Sequence, residues 1–392
     1  MAEWLAARGH NVRVVTAPPY YPAWRIREDY RGKLFRTEHP VPGLTVYRTP
    51  LYVPEKPSGL KRMLHLCSFM LGSIPVMLRQ IFWKPEVVWT VEPTFFGAPL
   101  ALLVARASGA AAWLHVQDYE VDAAFDLGLL PAEGPVHALA LRLERFFTKS
   151  FDRLSSISPQ MVNRATEKGV VPERVTLFPN WVDVDAIRPE VDGASNLYRE
   201  ELGLAGKTVL LYSGNMGNKQ GLECLAPLAE AFDSDQTVHF LFCGDGAFRP
   251  QLEATVSRRR NVTLLPLQPA ERLGSLLNAA DIHLLPQRAG AADLVMPSKL
   301  TGMLSSGRPV LATADEGTML AQVVSGAAES GALGLVIATG DIEVLFKGAH
   351  RLVTDPKLRE SFGANARNYA IQFLGREEVL SRFEQDLLHF RH

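Results

Sequence analysis

The chain has 392 residues, 47% hydrophobic and 21% charged, with 41 Lys and Arg against 42 Asp and Glu. That composition belongs to a folded globular protein of about two domains and excludes disordered, fibrous and disulfide-built classes. The three cysteines, Cys67, Cys224 and Cys243, are far apart and odd in number, without metal-ligand spacing, so a reducing cytoplasm is expected.

Residues 1–8 read as the end of an amphipathic helix, followed by Gly9-His10 and a strand over 11–16. A doubly wound domain opens with a strand and a tight loop that feed its first helix. Neither precedes this helix, so the first strand of the N-terminal domain is expected to be missing from its sheet. The start also lacks the apolar stretch and small-residue site of a cleavable signal. Through Lys84 the chain carries 13 Lys and Arg against 5 Asp and Glu, and the remainder 28 against 37. A basic first fifth suits an anionic partner, either membrane headgroups or a phosphorylated acceptor; a merely solvated basic surface is the alternative. Within it, residues 60–85 set Lys61, Arg62, Arg79 and Lys84 around a Leu/Met/Phe-rich stretch broken by Gly72 and Pro75. The stretch is too short and interrupted for a spanning helix; an interfacial helix and a buried helix both remain open.

Further strand-like apolar runs lie at 87–91, 111–117, 153–157, 175–178, 208–212, 239–243, 261–265, 282–285, 309–313 and 334–337. Helix patterns occupy 99–108, 136–149, 158–168 and 269–279 between them. Most of the runs lack in/out alternation, as strands covered on both faces do. Repeated βα units of this kind give an α/β protein with parallel, doubly wound sheets. The polar, Asp- and Pro-containing stretch 180–189 divides the series. Two Rossmann-like domains facing a cleft are expected, the first over 1–185 and the second over 186–372.

Residues 210–222 (LLYSGNMGNKQGL) are a strand, a glycine-rich turn and a helix start. Backbone amides at such a turn can cradle phosphate and Lys219 adds a cation, although Gly and Asn also mark plain turns. The next strand ends in Gly244-Asp245-Gly246, glycine where backbone turns sharply or is closely approached. Ser298 and Lys299 stand at a helix N-terminus suited to an anion. All three features lie at the ends of strands where this architecture puts its ligands.

The passage Ser155-Ser156-Ile157-Ser158, followed by 175–183 (VTLFPNWVD), resembles the signature of family 4 glycosyltransferases, and the segments 213–222, 242–246, 261–268, 280–286 and 297–309 follow in that family's order. The resemblance covers nearly the whole chain. Within the family, Gln117-Asp118, Asn215 with Lys219-Gln220-Gly221, and Pro297-Ser298-Lys299 look most like the exopolysaccharide subgroup that includes colanic acid fucosyltransferase-like proteins. It implies the GT-B fold, with residues 373–392 as a helix returning to the N-terminal domain. It implies a GDP- or UDP-linked sugar donor as substrate, retention of anomeric configuration, no cofactor and no metal. By the same resemblance Lys219 clamps the donor diphosphate, and the amides of Ser298, Lys299 and Leu300 hold its distal phosphate. Gly214, Asn215, Gln220, Gly221, Gly244, Asp245 and Gly246 line the donor, and Leu267 and Gln268 lie where the nucleobase packs.

The departures from the family are specific. Asn215 replaces the usual arginine, and the second acid of the acid-x7-acid motif falls on Gly302. The nearest upstream acid, Asp293, is taken as the catalytic candidate there, with the ribose contact unassigned. Gln117-Asp118 stands where the family has His-Asp. Asp118, at a strand end, is taken as the residue facing ligand, and His115 as a packed strand histidine. Asp183-Val184-Asp185 mimics a metal-binding DxD but reads as a turn and cap. No carboxylates cluster as Mg²⁺ would need, and no G-x-S-x-G elbow is present. The implied partners are a nucleotide-sugar, a polyprenyl-diphosphate-linked saccharide and the cytoplasmic face of the cell membrane, with no nucleic acid. A non-catalytic nucleotide-sugar-binding remnant and a nucleotide-sugar epimerase are the alternatives.

Overall fold

Every apolar run read as a strand forms one in the computed structural model, which describes residues 1–21, 23–55, 59–92, 95–119, 134–190, 196–217, 220–288, 296–326 and 331–390. Two units result, Met1–Phe178 with Leu380–His392, and Pro179–Val379. Residues 179–185 go with the second unit because Val182 pairs there. Its amide donates to Leu374 O at 2.9 Å, and its carbonyl accepts from the Arg376 amide at 2.9 Å.

In the first unit the strands are β1 (Val12–Thr16), β2 (Arg36–Glu38), β3 (Leu44–Arg48), β4 (Val87–Glu92), β5 (Ala111–Val116), β6 (Arg153–Ser156) and β7 (Val175–Leu177). They form two separate sheets, β1-β3-β2 and β4-β5-β6-β7. All pairs are parallel except β2 with β3. Both β2 and β3 escape the sequence reading: β2 is three polar-flanked residues, and β3 alternates, burying only Leu44 and Val46. Helix α1 (Ala2–Ala7) packs Ala6 against those two side chains. Strand β5 is the core of the unit, with Trp113, Leu114 and Val116 buried. The last helix, Arg376–His389, brings Phe383 to 5.2 Å from the Trp113 ring and 4.4 Å from Phe178. On the same helix buried Glu384 accepts from Arg8 Nε at 2.6 Å and from His10 Nε2 at 2.8 Å. Burial raises the Glu384 carboxyl, but the hydrogen bonds from His10 and Arg8 outweigh it, and the net shift is downward.

Helix α2 (Gly59–Trp83) runs unbroken through Gly72 and Pro75, so the interruption expected there does not occur. Residues Leu60–Trp83 are long and apolar enough, by length and composition, to cross a membrane, and 11% of the apolar 18-residue window within them is buried. Apolar residues lie on both of its sides: Phe69, Ile74 and Met77 are half-buried, and the basic Lys61, Arg62 and Arg79 are exposed. His65, Ser73 and Gln80 are turned inward and buried, while Leu60, Leu71 and Phe82 are 74%, 60% and 87% exposed. Helix α3 (Ala98–Ser108) follows β4, and its Leu100, Ala101 and Val104 are buried.

The second unit holds β8 (Thr208–Asn215), β9 (Val238–Asp245), β10 (Val262–Leu265), β11 (Ile282–Leu285), β12 (Val310–Thr313) and β13 (Gly334–Ile337). They make one parallel sheet in the order β10-β9-β8-β11-β12-β13. Apolar clusters cover both of its faces, which is why its strands read as continuous apolar runs. The order reverses direction beside β8, and a doubly wound sheet binds ligands outside the carboxyl ends of strands at such a point.

Candidate functional site

Strands β8 and β9 run past the ends expected of them, to Asn215 and Asp245, because paired glycines let them approach. Gly214 and Gly244 are in register. Gly244 has φ +152°, and a Cβ on it would lie 1.9 Å from the Gly214 carbonyl oxygen. Among the described residues, the side chain that comes nearest to Gly214 is that of Lys299, from the helix Lys299–Ser305. Its Cδ and Nζ lie 3.5 and 3.9 Å from where a Cβ on Gly214 would be.

Lys299 Nζ donates to the Tyr212 hydroxyl at 3.1 Å and sits 4.3 Å from the centre of that ring. The Tyr212 hydroxyl in turn donates to Asn215 O at 2.6 Å, and burial pushes its pKa upward. Burial brings the Lys299 ammonium down to about 8, with no offsetting carboxylate among the described residues. A half-hidden cation beside bare backbone, with no counter-ion among the described residues, suits an anion. Sequence reasoning reached Lys299 through its amide. The side chain proves the more informative part, and the signal for it was the pair Gly214 and Tyr212.

In this region the buried amide oxygens of Gln220 and Gln287 have no partner among the described residues. Gly221, with φ +61°, brings their segments together: a Cβ there would lie 2.6 Å from Gln287 O. Gln287 is fixed at the end of β11 by Thr313, whose hydroxyl donates to Gln287 O at 3.0 Å and accepts from the Gln287 amide at 3.0 Å. Unpaired acceptors of this kind suit the hydroxyls of a polar ligand. Gln287 was not legible in the sequence, since it follows a strand with no motif around it.

The loop 266–268 is held from below. Tyr198 donates to Gln268 Oε1 at 2.9 Å, Gln268 Nε2 donates to Pro266 O at 2.8 Å, and Arg249 Nη1 donates to Leu265 O at 2.7 Å and also to Gly244 O. Gln268 is thereby committed to the loop, while Leu267 is half exposed above it. Asp245 is exposed, and its carboxylate accepts from the Gly246 amide at 2.8 Å.

One expectation is corrected. The Leu300 amide donates to Pro297 O at 3.0 Å in a tight turn, so it is not a free phosphate donor, and its side chain is core. Ser298 is exposed and makes no capping bond with its side chain. Lys219 and Asp293, both expected in this site, lie outside the described residues. Asp118 is in the first unit, exposed just past the end of β5. His115 is packed: its Nδ1 lies 2.9 Å from Ser155 Oγ, its ring stacks on Trp89, and burial lowers it to about 4. Among the described residues no group of three or more His, Cys, Asp or Glu could hold a metal.

Residues 1–181 match the family described as "Glycosyl transferase 4-like domain", and residues 195–369 that described as "Glycosyl transferases group 1". The chain is 41% identical to a protein of Escherichia coli (strain K12) named as a colanic acid biosynthesis glycosyl transferase, WcaI, over 99% of this chain and 94% of that one. Among solved structures it resembles a sucrose-phosphate synthase from Thermosynechococcus elongatus, with TM-score 0.73, 18% identity and coverage of 98% and 90%. It also resembles Anabaena HepE in complex with UDP and glucose, with TM-score 0.62, 16% identity and coverage of 80% and 82%. These structural likenesses establish the GT-B fold.

Proposed function

The chain belongs to the group 1 glycosyl transferases with a family 4-like N-terminal half, and from that premise we propose that it moves one sugar from a GDP- or UDP-linked donor to a polyprenyl-diphosphate-linked saccharide. The transfer retains anomeric configuration, uses no metal, and serves cell-surface polysaccharide synthesis of the colanic-acid type named for its E. coli relative.

The observation that carries this reading is the Lys299 ammonium, buried beside Gly214 with no counter-ion among the described residues. When the bond from sugar to diphosphate breaks, negative charge grows on the leaving phosphate. A preorganised cation in a poorly solvated site stabilises that charge more than water would. Lys219, one residue before Gln220, supplies a second cation in this reading. Gln220 and Gln287 accept hydroxyls of the donor, and Leu267 gives the base an apolar surface. Asp293 is the carboxylate offered to the donor sugar, and Asp118 that offered on the acceptor side.

In the first unit, a cavity of about 690 Å³ lined by Trp24, Arg25, Arg31 and Lys33, among others, gives an anionic acceptor somewhere to bind. The direct test is transfer of labelled sugar from GDP- and UDP-sugars to a polyprenyl-diphosphate saccharide in excess EDTA. Transfer at the undiminished rate is expected. Absence of transfer with every donor rejects the function, and loss restored by Mg²⁺ or Mn²⁺ rejects metal independence.

The exposed Leu60, Leu64, Leu71 and Phe82 of α2 support a peripheral seat on the cytoplasmic leaflet. These apolar residues insert while Lys61, Arg62 and Arg79 meet anionic headgroups, each worth about 1 kcal/mol when well placed. Co-sedimentation with anionic vesicles is expected to be salt-sensitive and largely lost in the folded triple variant Lys61→Glu, Arg62→Glu, Arg79→Glu. Equal sedimentation of the two proteins would reject the membrane seat.

A further inference from the structure

Three strands end side by side at the carboxyl edge of the second sheet, and one arginine ties their ends together. Strands β8 and β9 are in register at Gly214 and Gly244, and β9 and β10 at Cys243 and Leu265. Neighbouring strands lie about 4.8 Å apart, so the ends of β8 and β10 are separated by about 10 Å. Lys299 stands beside Gly214 at one extreme, and the loop 266–268 leaves Leu265 at the other. That separation is what a nucleoside diphosphate spans between its outer phosphate and its base.

Arg249 opens the helix Arg249–Val256, and its backbone is fixed before its side chain begins. The Arg249 amide donates to Gly246 O at 3.1 Å. Beside it, the amide of buried Phe248 donates to Met216 O at 2.8 Å, and the Met216 amide donates to Asp245 O at 2.8 Å. Two backbone bonds thus hold the turn 245–249 to the chain leaving β8. Gly246 permits the approach: at φ +150°, a Cβ on it would fall 2.5 Å from Met216 O.

From this anchored base the guanidinium crosses the end of β9. Arg249 Nη1 carries two hydrogens. It donates to Gly244 O, and to Leu265 O at 2.7 Å. One planar, permanently charged group therefore holds a carbonyl of β9 and the last carbonyl of β10 at a set distance. The loop beyond inherits the position of Leu265. Its Pro266 O accepts from Gln268 Nε2 at 2.8 Å and from the Cys243 thiol, a weak donor, at 3.3 Å.

We infer that Arg249 is a positioning residue that sets the spacing between the phosphate end and the base end of the donor site. It acts through the backbone, since both bonds from Nη1 go to carbonyls, one behind each half of the crevice. The inference rests on the donor reading proposed above and adds to it a residue that the reading does not use. A ligand made of two linked parts gains from the link only when both subsites stand at the matching separation. A displacement of about 1 Å can cost about 100-fold. Arg249 is therefore expected to matter far more to the joined nucleotide than to either half of it.

The test sets three ligands against the unsubstituted chain, Arg249→Met and Arg249→Lys. They are a nucleoside diphosphate (UDP or GDP), its nucleoside, and inorganic diphosphate. Calorimetry reads the first, and saturation-transfer NMR reads the two weaker halves. In both variants the nucleoside diphosphate is expected to lose about 100-fold in affinity, while each half changes by less than about threefold. Lysine keeps the charge without the planar, fixed geometry, and it carries the test if methionine prevents folding. Unchanged nucleotide binding in folded Arg249→Met overturns the inference. So does full affinity in Arg249→Lys, which would reduce the role to charge. Losses in the halves as large as the loss in the nucleotide overturn it too, because a purely structural role gives that result. If the unsubstituted chain binds neither UDP nor GDP, the donor reading fails and the inference falls with it. Binding that is intact there and unaltered in the variants overturns the inference alone.

Discussion

Lys299→Met is expected to lower sugar transfer by about 10²–10³-fold, the usual loss when one preorganised donor to a developing oxyanion is removed. The same change should raise the thermal stability of the free protein. Burial brings the Lys299 ammonium down to about 8, whereas in an unfolded chain it titrates near 10.4. Between those values the unfolded state holds the extra proton, so this group's contribution to stability rises with pH across that window and is adverse below it. At pH 7 the folded protein bears a poorly solvated charge, and methionine, similar in length, relieves about 1–2 kcal/mol. Donor affinity has the opposite dependence: it needs the protonated lysine, so it weakens as pH climbs past about 8. Titration calorimetry with UDP and GDP at pH 7 and 9, beside melting curves of both proteins, reads all of this. Undiminished turnover in the variant would remove Lys299 from the site.

Gly244→Ala is expected to prevent folding of the second unit, or to destabilise it by more than about 4 kcal/mol. The methyl group would fall 1.9 Å from the Gly214 carbonyl oxygen, which is backbone held in the β8–β9 ladder, and at a φ of +152° that L side chains rarely adopt. No rotamer change relieves either problem. Gly340→Ala is the comparison: its φ is +87° with nothing within 4 Å of the added carbon, so only backbone strain operates and a loss of about 1 kcal/mol is expected. Equal melting temperatures for these two variants would show that β8 and β9 do not converge as described.

The second unit was the more legible half, and the reason is physical. Its strands lie between two apolar clusters, so they appear as unbroken runs such as Val238 to Cys243, which polar turns then punctuate. The first unit has edges, and edges write weaker signals: β2 is Arg-Thr-Glu, and β3 buries only every second residue. Helix α2 misled for a related reason, since Gly72 and Pro75 are breakers by propensity, yet a 25-residue helix continues through them. In the site, the glycines could be read directly, because backbone geometry limits which residues serve there. Gln287 could not, because what matters is an unsatisfied amide oxygen, and that depends on Thr313, which lies 26 residues along the chain.

The division of the chain has a consequence for how it is made. The first unit closes only when residues 380–392 arrive, whereas Pro179–Val379 is one continuous stretch. At about 5–20 residues per second, a ribosome needs roughly 10–40 s to synthesise that stretch. Through this interval Trp113 and Phe178 wait for Phe383, and Arg8 and His10 wait for Glu384. The half of the protein that is translated first is therefore finished last, and its aromatic surface around Trp113 and Phe178 stays uncovered until the final helix is released.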